Sequence, residues 1–441
     1  MKIRFVTLGC KLNFAESSAL GRELLARGHQ KALQSEVPDV CVVNTCSVTD
    51  AADHKDRQAI NQLHRKYPNA IIIVTGCYAQ LQPEQVSKIE GVDYVLGQNE
   101  KYSITQLVDE LCDSLENGVP PTGRPTGYSL EAQKIRVGKI REVDEFHGVH
   151  SGDDRTRCFI KVQDGCNYFC TYCTIPYARG KSRNPLISEV VEDAQKAIQD
   201  GAKELILTGV NIGDFGRSTG ETFFDLLKAL DGLGDEAMRR EARGMDYRIR
   251  ISSCEPNLLT NEIIDFVAQS KHFAPHFHIP LQSGSNEVLK IMGRRYTREL
   301  FAERVRHIKE VMPHAFIGVD CMVGVRGETE AYWEDYLAFI KQLDVSQLHV
   351  FTYSERANTK MLEMDLYVVP KSERQRRSKI LHEVSEEKTK DFYAQHAGRK
   401  SVVLWESKKE GDQMAGFTDN YIKVYRPYEK AKVNTFEEIL L

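Results

Sequence analysis

The stretch GCNYFCTYC, residues 165–173, carries three cysteines, Cys166, Cys170 and Cys173, which we call the barrel triad. It follows a β-branched, apolar run, RCFIKVQ (157–163), that is typical of a strand. The spacing C-x3-C-x2-C lets one loop hold three corners of a cubane iron–sulfur cluster and leaves the fourth iron free for a ligand. A zinc site would need a fourth ligand, and none is obvious nearby. The stretch therefore predicts an iron–sulfur loop at the end of a strand.

Five further strand–helix units follow this loop. Their predicted strands are 204–208, 248–252, 276–279, 316–322 and 347–352. With the strand before the loop they predict a partial (βα)6 barrel, in which active sites lie at the carboxyl ends of the strands. Chemically useful residues follow those ends, at 209–215, 252–255, 282–285, 324–328 and 353–356. The loop is therefore expected at the mouth of a barrel.

The N-terminal segment alternates short strands with helical patterns, which predicts a parallel sheet of the flavodoxin or Rossmann type covered by helices. The predicted strands are 2–8, 40–44, 70–75 and 93–96. Cys10, Cys46 and Cys77, here called the N-terminal triad, each follow one of the first three strands by two residues. Because ligands bind outside the carboxyl ends of such strands, we expect the three thiols to converge. They suit an iron–sulfur cluster with an open iron or a zinc ion with an open position.

Composition and charge restrict the class of protein. The chain has 441 residues with 59 Lys and Arg against 63 Asp and Glu, a net charge of −4, which excludes a globally basic nucleic-acid binder. Its apolar runs are strand-length, far below the roughly 20 residues of a membrane helix. No export signal precedes the first strand, so we expect a cytoplasmic protein without a membrane partner. Five of the 11 cysteines have no partner spacing and are predicted to pack as small apolar residues: Cys41, Cys112, Cys158, Cys254 and Cys321.

The C-terminal segment, 371–441, is predicted to be a separate unit with a charge balance of its own. It carries 15 Lys and Arg against 12 Asp and Glu, unlike the acidic remainder. Residues 371–396 have a helical pattern, and the strand-like runs that follow predict a small antiparallel β-barrel. The predicted domains are 1–118, a linker over 119–150 that begins near the Pro/Gly stretch NGVPPTGRPTG, a core over 151–370, and 371–441.

The loop GCNYFCTYCTIPYARG resembles that of radical S-adenosylmethionine (SAM) enzymes, and with the N-terminal triad the chain resembles the methylthiotransferase family. The other matching motifs are TLGCKLN (7–13), NTCSVTD (44–50), TGCYAQ (75–80), LTGVNIGDFG (207–216), ISSCEP (251–256), HIPLQSGSNEVLKIMGRRYT (278–297) and HVFTYSER (349–356). The family has three branches, which modify tRNA bearing isopentenyladenosine, tRNA bearing threonylcarbamoyladenosine, or a ribosomal protein aspartate. GCKLN and NTCSVT are similar to the threonylcarbamoyladenosine branch.

The resemblance implies a transferase with a 4Fe-4S cluster on each triad and a C-terminal RNA-binding TRAM domain. The barrel cluster would bind SAM and yield a 5′-deoxyadenosyl radical, while a second SAM would methylate sulfur at the N-terminal, auxiliary cluster. The methylthio group would join C2 of N6-threonylcarbamoyladenosine at position 37 of the tRNA anticodon stem-loop. Flavodoxin or ferredoxin would be the electron donor.

The resemblance also assigns individual residues. Tyr172 matches the aromatic residue that lies beside the adenine of SAM. Five polar residues at strand ends lie where the amino-acid and ribose parts of SAM would bind: Asn211, Ser253, Glu255, Gln282 and Asp320. Arg179, Lys181 and Arg183 are predicted to contact RNA phosphate or to form a solvated basic turn. The competing hypotheses are the other two branches, a non-catalytic iron–sulfur protein that binds RNA, and a zinc-dependent binding protein.

Overall fold

The computed structural model describes residues 1–116, 134–152, 156–233 and 247–441. In chain order it contains a parallel sheet, an arc of parallel strands and a small antiparallel sheet. Among these residues, every helix is either too short or too polar to cross a membrane.

The first unit is a six-stranded parallel sheet with the order β2-β1-β3-β4-β5-β6. Its strands are β1 (Lys2–Thr7), β2 (Gln30–Lys31), β3 (Val40–Thr45), β4 (Ile71–Gly76), β5 (Tyr94–Leu96) and β6 (Ile135–Arg136). The order of the first five is that of flavodoxin-like sheets, whose ligands bind where the strand order reverses, between β1 and β3. The sequences VCVVNT and IIIVTG make β3 and β4 buried along their whole length, as central parallel strands require.

Helices cover both faces of this sheet. They are α1 (Lys11–Ala26), α2 (Asp50–Lys66), α3 (Cys77–Leu81), α4 (Pro83–Ser87) and α5 (Ile104–Glu116). The hydroxyl of Thr49 accepts the N–H of Ala52 at 3.2 Å and thereby caps α2. Alternate residues of the central strands enter two apolar cores, one on each face.

All four predicted strands of the first unit are present, and the structure adds β2 and β6. The predicted linker stretch NGVPPTGRPTG lies outside the described residues. β6 pairs with β5 through Val95 and Ile135. Strand β6, which lies within the predicted linker (119–150), therefore belongs to the first sheet.

The second unit is a barrel of six parallel strands. They are β7 (Arg157–Lys161), β8 (Glu204–Thr208), β9 (Arg248–Ile251), β10 (His276–Gln282), β11 (Phe316–Val323) and β12 (Gln347–Thr352). They form the sheets β7-β8-β9 and β10-β11-β12. Parallel bridges from Ile249 to Phe273 and from Ser253 to His278 join the two sheets. The partial (βα)6 barrel is confirmed.

The helices of the barrel pack outside the strands. They are α6 (Ile175–Arg179), α7 (Ile187–Gln199), α8 (Phe223–Asp231), α9 (Asn261–Gln269), α10 (Asn286–Ile291), α11 (Arg298–Val311) and α12 (Glu330–Gln342). Apolar strand residues such as Ile160, Leu205 and Ile279 pack against these helices in the largest core. Because strand side chains alternate between faces, the intervening polar residues point to the interior of the barrel.

The C-terminal unit is a long helix followed by a four-stranded antiparallel half-barrel. Its elements are α13 (Lys371–Gln395), β13 (Lys400–Glu410), β14 (Gln413–Thr418), β15 (Lys423–Pro427) and β16 (Phe436–Leu440). Arg248, at the start of β9, donates to the carbonyl of Phe417 at 2.9 Å, and Arg157, at the start of β7, donates to the hydroxyl of Tyr421 at 3.2 Å. The half-barrel therefore docks at the end of the barrel opposite the iron–sulfur loop.

Candidate active site

The loop of the barrel triad follows β7 and is held by two glycines. Gly165 has φ of 70°, and a Cβ there would lie 1.9 Å from the carbonyl oxygen of Lys181, so only glycine fits. The carbonyl of Gly180, whose φ is 78°, accepts the N–H of Cys166 at 3.0 Å and closes the loop. The backbone thus fixes the loop that presents the thiols.

Hydrogen-bond donors point at all three sulfur atoms of this triad: the N–H of Tyr168 at Cys166 (3.4 Å), the N–H of Ile175 at Cys173 (3.4 Å) and the guanidinium of Arg294 at Cys170 (3.2 Å). Such donors favour the thiolate form and tune a bound cluster. Burial raises the pKa of Cys166 to about 12, so this thiol keeps its proton until a metal displaces it.

The N-terminal triad lies at the carboxyl ends of β1, β3 and β4, which are neighbours in the sheet. Thr45 pairs with Gly76, which places Cys46 and Cys77 next to each other in register. A Cβ on Gly9, the residue before Cys10, would lie 2.8 Å from the sulfur of Cys46. The structure therefore brings together three thiols that are far apart in the sequence.

Polar groups organise the ends of these strands. The side-chain amide of Asn13 donates to the carbonyl oxygens of Leu8, at 2.8 Å, and Thr45, at 2.9 Å. Gln98 donates to the sulfur of Cys77 at 3.3 Å. Burial first, and then the neighbouring thiols, raise the pKa of Cys46 to about 12.

Both triads fit an iron–sulfur cluster better than a single ion. In the part of the chain that the structure describes, no three His, Cys, Asp or Glu side chains are grouped closely enough to hold one metal ion. Zinc needs its thiolate ligands within about 2.3 Å of one centre. A cubane cluster accepts hydrogen bonds at its cysteine sulfurs, and both triads have donors in place for such bonds.

One cavity of about 190 Å³ joins the surroundings of the two triads. Tyr172 and Cys173 line it from the barrel, and Val48 and Thr49, just after Cys46, line it from the first unit. The carboxyl ends of the first sheet therefore face the mouth of the barrel.

Arg356 secures this contact between the first unit and the barrel. Its guanidinium, only 5% exposed, donates to Asp50 at 2.6 Å, to Asp53 at 2.7 Å and to the hydroxyl of Ser47 at 2.6 Å. These partners lie between Cys46 and the first turns of α2. Arg356 thereby orients the segment that separates the two triads.

Two predicted cofactor-binding residues have buried amide groups without a protein partner. Gln282 lines the cavity, adopts φ of 64°, and its Oε1 accepts no hydrogen bond from any described residue. The amide of Asn211, 3% exposed, lies near the hydroxyl of Tyr168 but makes no hydrogen bond of normal geometry within the described ranges. Buried amides are usually satisfied, so these two groups fit a bound polar ligand.

Asp320 also lines the cavity and keeps its negative charge. His278 bridges Asp320, at 2.8 Å, and Ser253, at 2.6 Å. Burial opposes ionisation of Asp320, but His278, His349 and Arg294 together outweigh it and hold the pKa of the carboxyl below its usual value. The carboxylate can therefore accept hydrogen bonds from hydroxyl or ammonium groups in the cavity.

Glu255 is paired with a residue that the sequence analysis did not assign. Arg294 forms a buried ion pair with Glu255, and it also contacts Cys170 and the hydroxyl of Tyr172, the latter at 3.4 Å. Burial raises the pKa of Glu255, and Arg294 counteracts this effect. Arg294 lies within the matched motif HIPLQSGSNEVLKIMGRRYT, which is the only sequence signal for its role.

For Arg179 and Arg183 the predicted RNA contacts are wrong, and so is the alternative of a solvated basic turn. Arg179 is 1% exposed and is held by carboxylates on both sides, while Arg183, 8% exposed, donates to Asp164 at 3.1 Å. Only Lys181 is open to solvent, with a side chain 60% exposed. The sequence could not show this burial because the carboxylate Glu16 lies far away in the chain.

Comparisons with known proteins agree with this geometry. The model of "Uncharacterized protein family UPF0004" matches residues 2–97, and that of the "Radical SAM superfamily" matches 160–340. A threonylcarbamoyladenosine tRNA methylthiotransferase MtaB from Bacillus subtilis is 36% identical, with 96% of this chain and 89% of that protein covered. A tRNA-2-methylthio-N(6)-dimethylallyladenosine synthase from Pelotomaculum thermopropionicum is 31% identical, with 94% and 88% covered.

Solved structures share the fold. The radical SAM methyltransferase TsrM from Kitasatospora setae, determined with cobalamin and a [4Fe-4S] cluster, has a TM-score of 0.52 at 16% identity, with 82% of this chain and 77% of that chain covered. Fold and site thus define a radical SAM enzyme, a transferase that uses SAM with an iron–sulfur cluster. Within that class, the chain belongs to the MtaB type of the radical SAM methylthiotransferase family.

Proposed function

We propose that the chain transfers a methylthio group to C2 of N6-threonylcarbamoyladenosine at position 37 of tRNA, with two SAM molecules and two 4Fe-4S clusters. The observation that carries this proposal is the shared cavity, which is lined by Cys173 and by the residues that follow Cys46. A reaction that removes hydrogen from one atom and adds sulfur to it needs both sites near that atom.

The barrel triad would hold the cluster that, together with SAM, supplies the radical chemistry. Tyr172 gives the cavity an aromatic wall for the adenine of SAM. The unpartnered amides of Asn211 and Gln282 and the charged Asp320 are suited to the ammonium, carboxylate and ribose groups of the cofactor. Ser253 and Glu255 act through His278 and Arg294, which they orient by hydrogen bonds.

The N-terminal triad would hold the auxiliary cluster, at which the transferred sulfur is handled. No residue of the cavity needs to act as a base on the substrate, because an aromatic C2–H is far too weak an acid for side-chain catalysis. The work of the chain is to position both clusters and to exclude water.

The remaining partners are part of the same proposal. The C-terminal half-barrel, of TRAM type, would bind the tRNA backbone, with Lys181 as an exposed cation near the loop. Flavodoxin or ferredoxin would supply electrons, and the reaction would take place in the cytoplasm.

The test is anaerobic reconstitution with iron and sulfide, followed by reaction with reductant, SAM and tRNA bearing threonylcarbamoyladenosine. Mass spectrometry of the digested nucleosides should show a methylthio group in place of one hydrogen. Cys10→Ala should still produce 5′-deoxyadenosine but no methylthio nucleoside, whereas Cys166→Ala should abolish both products. Equal loss of both products in the two variants would contradict the division of labour.

The other branches are tested in the same assay. tRNA bearing isopentenyladenosine and the ribosomal protein with its aspartate replace the substrate in parallel reactions. The GCKLN motif and the 36% identity to a protein named for threonylcarbamoyladenosine favour the proposed substrate. Product on either alternative alone would reassign the substrate and leave the reaction type intact.

A further inference from the structure

Six charged side chains are buried together where the first sheet meets the barrel, none more than 8% exposed: Glu16, Lys101, Lys161, Asp164, Arg179 and Arg183. Four cations face two carboxylates, so the positive charges are in excess by two. Within the described ranges, these cations form ion pairs with no other carboxylate. Buried charge without compensation is costly, so a nearby anion would stabilise this network.

Arg179 is the member of this group that joins the two units. It donates to Glu16 at 3.0 Å and to Asn13 at 2.7 Å, both on α1, and to Asp164 of the barrel at 3.0 Å. Asp164 comes two residues before Cys166, and Arg179 ends the helix that follows Cys173. One guanidinium therefore connects the first sheet to both ends of the iron–sulfur loop.

The same guanidinium lies beside the N-terminal triad. The oxygen of Asn13 that accepts from Arg179 also lies 3.9 Å from the sulfur of Cys10. α3, which begins at Cys77, packs against α6, which ends at Arg179. The positive charge of Arg179 acts on both of these thiols. With a cluster bound, the three cysteines would be thiolates and would supply an anion beside these buried cations.

We propose that Arg179 is a positioning residue that fixes the separation of the two cluster sites and places a permanent positive charge against the auxiliary cluster on Cys10, Cys46 and Cys77. The inference rests on the proposed function, because it assumes a cluster at that triad. A cluster gains negative charge when it takes up an electron, so a nearby cation stabilises the reduced form and raises the midpoint potential. Glu16, a buried anion in the same network, acts in the opposite direction.

The test isolates the auxiliary cluster in the full-length chain. Cys166, Cys170 and Cys173 are replaced by alanine, the protein is reconstituted anaerobically with iron and sulfide, and the potential is titrated by electron paramagnetic resonance. In this background, Arg179→Gln should shift the midpoint to a more negative value and Glu16→Gln to a more positive value. Arg179→Lys should retain most of the potential because it keeps the charge.

A matched control separates charge from general disturbance. Arg183→Gln removes a cation of the same network. The Arg183 side chain contacts Asp164 but, unlike Arg179, does not contact Asn13. The substitution should therefore shift the midpoint potential less than Arg179→Gln does. If Arg179 had a purely structural role, the midpoint potential would not shift in opposite directions when a cation (Arg179) and an anion (Glu16) are each replaced by glutamine.

The possible outcomes distinguish a failure of this inference from a failure of the proposed function. An unchanged potential in Arg179→Gln, or in Glu16→Gln if the former does not fold, overturns the inference and leaves the proposed function standing. A background protein with intact fold that binds no cluster overturns both. Opposite shifts in the two variants, with a near-normal potential in Arg179→Lys, support the inference.

Discussion

Gly165→Ala should damage the iron–sulfur loop far more than an ordinary glycine substitution. With φ of 70°, an alanine there adopts a left-handed conformation that costs about 1–2 kcal/mol. Its Cβ would also lie 1.9 Å from the carbonyl oxygen of Lys181, so the backbone at 180–181 must move. Such overpacking adds about 1–3 kcal/mol, for a total loss of about 3 kcal/mol in the free energy of unfolding.

Gly201→Ala is the matched control for this prediction. Gly201 has φ of 96° but nothing within 4 Å of its added Cβ, so it should lose only about 1–2 kcal/mol. Chemical denaturation gives the free energies, and iron content after reconstitution reports the loop. We expect Gly165→Ala to bind less iron, because the Cys166 N–H loses its fixed partner at Gly180. Equal stability and equal iron content in the two variants would refute the reasoning.

Three further predictions, two of them with a control substitution, test different parts of the site and fold. Tyr172→Ala should weaken SAM binding about tenfold in equilibrium dialysis by removing the aromatic wall, while Tyr172→Phe should not, since the hydroxyl makes only a 3.4 Å contact. Burial holds the pKa of His276 well below its usual value. Below about pH 6.5 the unfolded chain therefore binds a proton that the folded chain does not, and the free energy of unfolding decreases. His276→Phe should flatten the pH dependence of the free energy of unfolding between about pH 5 and 7. Arg356→Ala should lower the free energy of unfolding by about 3 kcal/mol, since it leaves the buried carboxylate of Asp53 without its cation. The control Asp50→Asn, at a side chain that is 74% exposed, should lower the same free energy by less than about 1 kcal/mol.

The strands and the convergence of the cysteines could be predicted because their signals are local. Buried parallel strands are continuous β-branched runs, as in IIIVTG, and their carboxyl ends are readable from the sequence. The partial (βα)6 barrel could be predicted because the same strand signal occurs six times. The domain boundaries remain a prediction, because residues 117–133 lie outside the described residues.

Residues whose role depends on distant partners could not be predicted. Arg179 and Arg183 appear in a basic stretch, ARGKSR, and only Glu16 and Asp164 in space convert them into buried ion pairs. The two-residue strand β6 lacks the length that makes a strand recognisable. Arg294 reaches Cys170 across 124 positions of sequence, which no local pattern encodes.

The strand order explains why cysteines about thirty residues apart share one site. In the order β2-β1-β3-β4, the strands that precede Cys10, Cys46 and Cys77 are direct neighbours, because β2 lies at the outer edge. Had the strands followed chain order, β2 would separate Cys10 from the other two thiols. The same arrangement leaves α1, which starts at Lys11, against β7 of the barrel, and it is from α1 that Asn13 and Glu16 reach Arg179. The reversal at β1 and β3 thus both gathers the N-terminal triad and sets it against the loop of the barrel triad.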